Sequence, residues 1–200
     1  MLKKNKIIAV LTIEDSKKSI DLAKCLHDSG IINLDIRLRT SDSKKAIESI
    51  LKSNLNLNIG VGTVLNENDL IFLKSMNIKH AFSPHTDRNI LKQSKKYKIE
   101  FIPGISTSID IKIAVKNGCK YLKYFHAEKL GGVTHLDSIS NTIKDLKIIA
   151  MGGINNLNIR PYLNHKNIIG IGASWIATED LIRDSNWNEI SKRAKILLNL

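Results

Sequence analysis

The chain has 200 residues, 42% of them hydrophobic and 25% charged, with a formal net charge of +12. That length suits one domain with a real core, and the mixture is that of an ordinary soluble globular protein; no stretch approaches the roughly 18 apolar residues that a bilayer crossing needs. The positive charge does not argue for a nucleic-acid partner, because Lys17, Lys18, Lys44, Lys45, Lys95 and Lys96 are spread over helical segments and no aromatics interleave with them as a stacking platform would require.

Short β-branched runs alternate along the chain with longer segments of helical period. Residues 7–13 read as a buried strand, after which Asp15 or Ser16 caps a helix with Ile20, Ala23 and Leu26 on one face, closed by Gly30. Strand 32–38 and helix 41–51 follow, then strand 59–65, with Asn66 capping a helix through Leu70 and Leu73. Strand 80–83 precedes a helix after Thr86, and strand 100–105 a helix after Ser106. Strand 121–127 leads to a short helix around Leu136 and Ile139, strand 147–151 to a helix after Asn155, and strand 168–174 to helices ending near Leu198. Pro161 falls inside the seventh helical segment, where a proline kinks or breaks a helix at roughly 3 kcal/mol. Eight strand–helix units with near-continuously apolar strands predict a single (β/α)8 TIM barrel, one domain over residues 1–200, rather than an open doubly wound sheet.

The lead over residues 1–6 is basic, but the apolar run after it is short and meets Glu14 and Asp15, so it is read as no signal peptide and the protein is expected in the cytoplasm. Cys25 and Cys119 form no Cys-x-x-Cys pair and are expected as buried or half-buried thiols of a reducing compartment.

Barrel chemistry sits at the C-terminal ends of the strands, and the unusual residues fall there. In Leu34-Asp35-Ile36-Arg37-Leu38-Arg39-Thr40 the alternation puts Asp35, Arg37 and Arg39 on one face, which is costly on a buried strand unless they serve a site or pair with each other. In Tyr121-Leu122-Lys123-Tyr124-Phe125 a mid-strand lysine facing the barrel interior would lose its proton easily, through desolvation and neighbouring arginines. A neutral amine of that kind condenses with carbonyls. Gly152-Gly153 follows strand seven and Gly170-x-Gly172-Ala173-Ser174 ends strand eight, the two loops in which barrels bind phosphate with backbone N–H groups.

These stretches carry a resemblance. Leu38-Arg39-Thr40, Gly60-Val61-Gly62-Thr63-Val64-Leu65-Asn66, Ser83-Pro84, Pro103-Gly104-Ile105-Ser106-Thr107, Lys123-Tyr124-Phe125-His126-Ala127-Glu128, Gly131-Gly132-Val133, Gly152-Gly153-Ile154 and Gly172-Ala173-Ser174-Trp175 keep, in order and spacing, a familiar pattern. The chain resembles the 2-keto-3-deoxy-6-phosphogluconate (KDPG) and 4-hydroxy-2-oxoglutarate (KHG) aldolases, which are class I enzymes. The resemblance implies a Schiff base on Lys123 and a pyruvate carboxylate held by Arg39 and Thr63. Pro84 and Phe125 would line the pyruvate pocket, and the backbone of Gly152, Gly153, Ala173 and Ser174 would cradle the substrate phosphate. It also implies a homotrimer acting on a small keto acid without metal or cofactor, with no nucleic-acid or membrane partner.

Several positions depart from the family pattern. Asp35 stands where the family has the glutamate that serves as acid and base, and Arg37 where it has a small residue. Met151 replaces a threonine, His126 a proline and His85 a glycine, and the N-terminus lacks the family's short helix. Arg37 has two candidate partners, Asp35 and Glu128; pairing with Asp35 would lower the carboxyl's pKa and weaken it as a base. Three other readings stay open: the same lyase chemistry with a different aldehyde half, a sugar-phosphate epimerase, and a barrel that binds phosphorylated metabolites with little catalysis.

Overall fold

The computed structural model describes residues 2, 5–141 and 145–200, so residues 1, 3 and 4 of the basic lead lie outside the described residues. The strands are β1 (Ile7–Leu11), β2 (Asn33–Arg37), β3 (Asn58–Gly62), β4 (His80–Phe82), β5 (Glu100–Ile102), β6 (Gly104–Ile105), β7 (Leu122–Tyr124), β8 (Ile148–Met151) and β9 (Ile168–Ala173). Between them lie α1 (Ser19–Asp28), α2 (Ser43–Lys52), α3 (Glu67–Ser75), α4 (Arg88–Lys96), α5 (Ser108–Lys116), α6 (Gly132–Ser140), α7 (Arg160–Asn164), α8 (Glu179–Arg183) and α9 (Trp187–Leu198).

All strand pairs are parallel, in the order β5-β4-β3-β2-β1-β9-β8-β7-β6. β5 and β6 are one run of chain interrupted at Pro103, which has no N–H to give the ladder. The first half of this run pairs with β4, His80 opposite Glu100, and the second with β7, Gly104 opposite Lys123. One strand thus joins the two ends of the sheet, which curls into a (β/α)8 barrel.

The apolar side chains sort into two cores. Residues that face outward from the strands, such as Ala9, Leu34, Ile36, Ile148 and Ile171, pack with Leu22, Ile47, Leu70, Leu136 and Ile190 of the helices. A smaller set, Ile8, Val10, Phe82, Ile102, Ile149 and Met151, fills the interior of the barrel. Glycines make room in that interior: a Cβ at Gly60 would lie 2.6 Å from the Phe82 ring, and one at Gly172 2.6 Å from Cγ of Met151. A register shift between Ile148 and Ile149 where β8 meets β9 sets Gly170 and Gly172 on this inner face.

The helix signals hold at most ends. Asn66 accepts from the N–H of Asp69, Asp87 from that of Ile90, and Thr107 forms a capping box with Asp110. Asp15 caps a 3-10 turn that precedes α1 instead of the helix itself. The seventh segment differs from the reading in sequence. Pro161 neither kinks nor breaks a helix but stands in its first turn, since α7 starts at Arg160, where the missing N–H has no intrahelical role. Asn155 and Asn158 turn the chain ahead of it by side-chain to backbone bonds.

Candidate active site

Most strands end earlier than their apolar runs, and residues at the strand ends or just beyond them form a cleft. Val10, Arg37, Arg39, Lys123, Phe125, His126, Met151, Gly152, Gly153, Gly172 and Ser174 line it, around about 560 Å³ of empty space. Residues from β1, β2, β7, β8 and β9 or the loops after them therefore meet at one mouth, at the C-terminal end of the barrel.

Lys123 is 4% exposed and Asp35 0%, on opposite sides of the interior. The Lys123 Nζ lies 4.1 Å from the centre of the Phe125 ring, a cation–π contact that leaves the amine free for chemistry. Burial is the main cause that brings the Lys123 amine down to about 8; Arg39 and Arg37 push the same way and Asp35 opposes them. Burial likewise lifts the Asp35 carboxyl to about 6, against the pull of Lys123, Arg37 and Arg39. Among the described residues neither Asp35 carboxylate oxygen has a hydrogen-bond partner. A carboxyl so placed is a proton acceptor with nothing in the protein to hold its lone pairs.

Two readings from sequence are corrected here. Arg37 pairs with neither Asp35 nor Glu128, because its Nη2 is 3.7 Å from Oε1 of Glu179 at the start of α8. Nor is the Asp35 carboxyl lowered, since losing water on every side outweighs three nearby cations. Glu128 has other work. It accepts from Tyr162 Oη and from Asn158 Nδ2 at 2.9 Å, and Asn158 also donates to the Gly153 carbonyl at 3.0 Å. This network ties the loop after β7 to the double-glycine loop after β8.

The remaining expected site residues are arranged as follows. Arg39 Nε donates to Thr63 Oγ1 at 3.1 Å, and Thr63 takes a φ of +60°, a left-handed turn that ends β3 and brings its hydroxyl to the guanidinium. Gly152 and Gly153 have φ of +105° and +82°, and a Cβ at Gly153 would lie 2.8 Å from the Glu128 side chain. Ser174 is at the cleft, whereas Ala173 turns its methyl into the outer core and could offer only backbone. Pro84 is not among the cleft-lining residues; its carbonyl packs where a Cβ on Gly104 would stand. Val10 reaches the cleft without having been singled out for it, while Met151 and His126, both noted as departures from the family pattern, line it as well. Val10 looks like any core residue in sequence.

Residues 1–193 match the family of aldolases described as KDPG and KHG aldolase. The chain belongs to that family. This aldolase is 31% identical over 189 residues to the KHG/KDPG aldolase of Escherichia coli K12, an overlap of 94% of this chain and 89% of the relative. It superposes with a TM-score of 0.91 on the KDPG aldolase of Legionella pneumophila, which is 30% identical over 96% of this chain and 93% of that one, and in which pyruvate was captured as a covalent carbinolamine. The KDPG aldolase of Zymomonas mobilis ZM4, solved with 3-phosphoglycerate, superposes with a TM-score of 0.87 at 27% identity, covering 96% and 90% of the two chains. The enzyme is thus a carbon–carbon lyase on a (β/α)8 barrel. Among the described residues no helix is long and apolar enough to cross a membrane.

Proposed function

We propose that this aldolase cleaves 2-keto-3-deoxy-6-phosphogluconate to pyruvate and glyceraldehyde 3-phosphate through a Schiff base on Lys123. The observation that carries the reading is a buried amine brought down to about 8 at the floor of a cleft. Arg39, whose Nε donates to Thr63 Oγ1 behind the lining, faces the cleft, as do Gly152 and Gly153. Pyruvate held as a carbinolamine in the Legionella relative and 3-phosphoglycerate bound in the Zymomonas relative support the two ends of that assignment. The E. coli relative's name adds 4-hydroxy-2-oxoglutarate as a second substrate, which would release glyoxylate.

In this reading Arg39 and Thr63 hold the C1 carboxylate in a planar grip, and Phe125 bounds the pyruvate end. The backbone of Gly152, Gly153, Ala173 and Ser174 receives the phosphate. The neutral Nζ of Lys123 adds to the C2 carbonyl, and loss of water leaves an iminium. Asp35 takes the C4 hydroxyl proton through a bridging water, since its side chain is one methylene shorter than the family's glutamate. The C4 oxygen becomes the aldehyde carbonyl as the C3–C4 electron pair moves into an enamine, with the iminium as its sink. Protonation at C3 and addition of water to C2 then release pyruvate and restore the amine.

Mass spectrometry after incubation with pyruvate and borohydride is expected to find a reduced adduct on Lys123, and Lys123→Ala to lose all turnover. A folded protein without the adduct, or an alanine variant that still cleaves, would sink the assignment. We further read the enzyme as a cytoplasmic homotrimer, with the exposed Leu157 and Ile109 as apolar surface that an assembly could cover. Light scattering that returns one chain mass would rule the trimer out.

A further inference from the structure

The cleft holds a side chain that the mechanism above does not use. Arg37 ends β2 one residue beyond the Leu11–Ile36 pair, so its side chain starts beside the chain leaving β1. From there it reaches past β1 to Glu179, which lies five residues after Ser174 beyond the end of β9. It therefore lies on the same side of the mouth as Ser174 and the glycine loop, and lines the same cleft. Its hold on Glu179 is loose, at 3.7 Å to a carboxylate that is 53% exposed. Among the described residues its Nε is buried without a hydrogen-bond partner. A guanidinium kept over a cleft, with one donor unused and its counterion half in water, is prepared for an anion that arrives with the substrate.

We propose that Arg37 is a specificity-determining residue that grips the substrate's distal phosphate alongside the glycine backbone, exchanging Glu179 for it. The inference rests on the function proposed above. It adds a charged side chain to a phosphate site otherwise made of backbone N–H groups and one hydroxyl, and it gives the cleft two guanidiniums with separate tasks. Arg39 takes the carboxylate next to the reacting carbon, and Arg37 the far end.

The test compares kcat/KM for 2-keto-3-deoxy-6-phosphogluconate and for its unphosphorylated counterpart, with inorganic phosphate as competing inhibitor. Arg37→Ala is expected to reduce the preference for the phosphorylated substrate by about 10- to 100-fold and to raise the inhibition constant of phosphate by a similar factor. Glu179→Gln, which removes the competing carboxylate, is expected to tighten phosphate by about twofold to fivefold. Borohydride trapping of pyruvate on Lys123 is the control, since it involves no phosphate. Loss of trapping in the wild-type enzyme would defeat the Schiff-base reading itself. If trapping persists and Arg37→Ala slows both substrates equally while moving the pH profile, Arg37 acts on Asp35 and the proposal fails. It fails also if neither the preference nor phosphate inhibition moves. Should the alanine variant not fold, Arg37→Gln and the Glu179 variant decide by the same measurements.

Discussion

Lys123 and Asp35 take opposite routes to a common range of pH. Loss of water brings the amine down from 10.5 to about 8 and the carboxyl up from 3.8 to about 6. The free amine needed for attack grows as pH rises through 8, while Asp35 is already ionised above 6. The rate of pyruvate adduct formation is therefore expected to rise about tenfold between pH 7 and 9 and then level off. A rate that kept climbing through pH 10 would mean an ordinary lysine. The effect on stability has a defined sign for each group. Between about 8 and 10.5 the unfolded chain holds the lysine proton that the folded one has lost, so stability rises with pH across that window. Between 3.8 and about 6 the folded chain holds the extra carboxyl proton, so stability falls across it. At this scale much of the site was legible, because a lysine and three alternating charges are too costly in apolar strands to lack a purpose. Glu179 was not. The pairing with Arg37 joins residues 142 positions apart, and nothing local announces it. Nor does composition tell how completely Asp35 is dried, which is what reverses the expected direction of its pKa.

At the scale of elements, the apolar runs located all eight strand–helix units but placed most strand ends too late, those at Ile105 and Met151 excepted. β3 stops at Gly62 and not at Leu65, because Thr63 turns left-handed to meet Arg39. β7 stops at Tyr124 and not at Ala127, and of the residues released from the ladder Phe125 and His126 line the cleft. Apolar character persists past the last ladder bond because the loop still covers the core, and periodicity cannot tell the two apart. The inner glycines belong to the same account. A Cβ on Gly62 would lie 2.4 Å from Oδ1 of Asp35, so Gly62→Ala is expected to displace the carboxylate and lower kcat about 100-fold while pyruvate trapping on Lys123 survives. Gly60→Ala, which meets the Phe82 ring instead, is the comparison: overpacking there is expected to cost about 1–3 kcal/mol in unfolding experiments with a much smaller loss of kcat. Equal losses of kcat in the two variants would separate Gly62 from the placing of Asp35.

At the scale of the whole molecule, the count of strand–helix units predicted the barrel, yet the place where it shuts could not be read from that count. Strand five looked continuous over residues 100–105, and only the structure shows it serving two neighbours in turn, on either side of Pro103. That arrangement bears on how the molecule breathes. The closing seam rests on few backbone bonds, and two of them are donated by Lys123 N to Pro103 O at 2.9 Å and by Phe125 N to Ile105 O at 3.3 Å. Any parting of the wall at this seam exposes the amide of the lysine proposed to form the Schiff base. Hydrogen–deuterium exchange is therefore expected to be faster at the amides of Lys123 and Phe125 than in the centrally placed β1 and β2, and to slow once a reduced pyruvate adduct fills the cleft. Uniform protection around the ring would mean that the barrel opens only when the whole chain unfolds. With the faster seam, a fluctuation that loosens the wall also loosens the reagent, and occupancy of the site becomes one of the bonds that keep the ring shut.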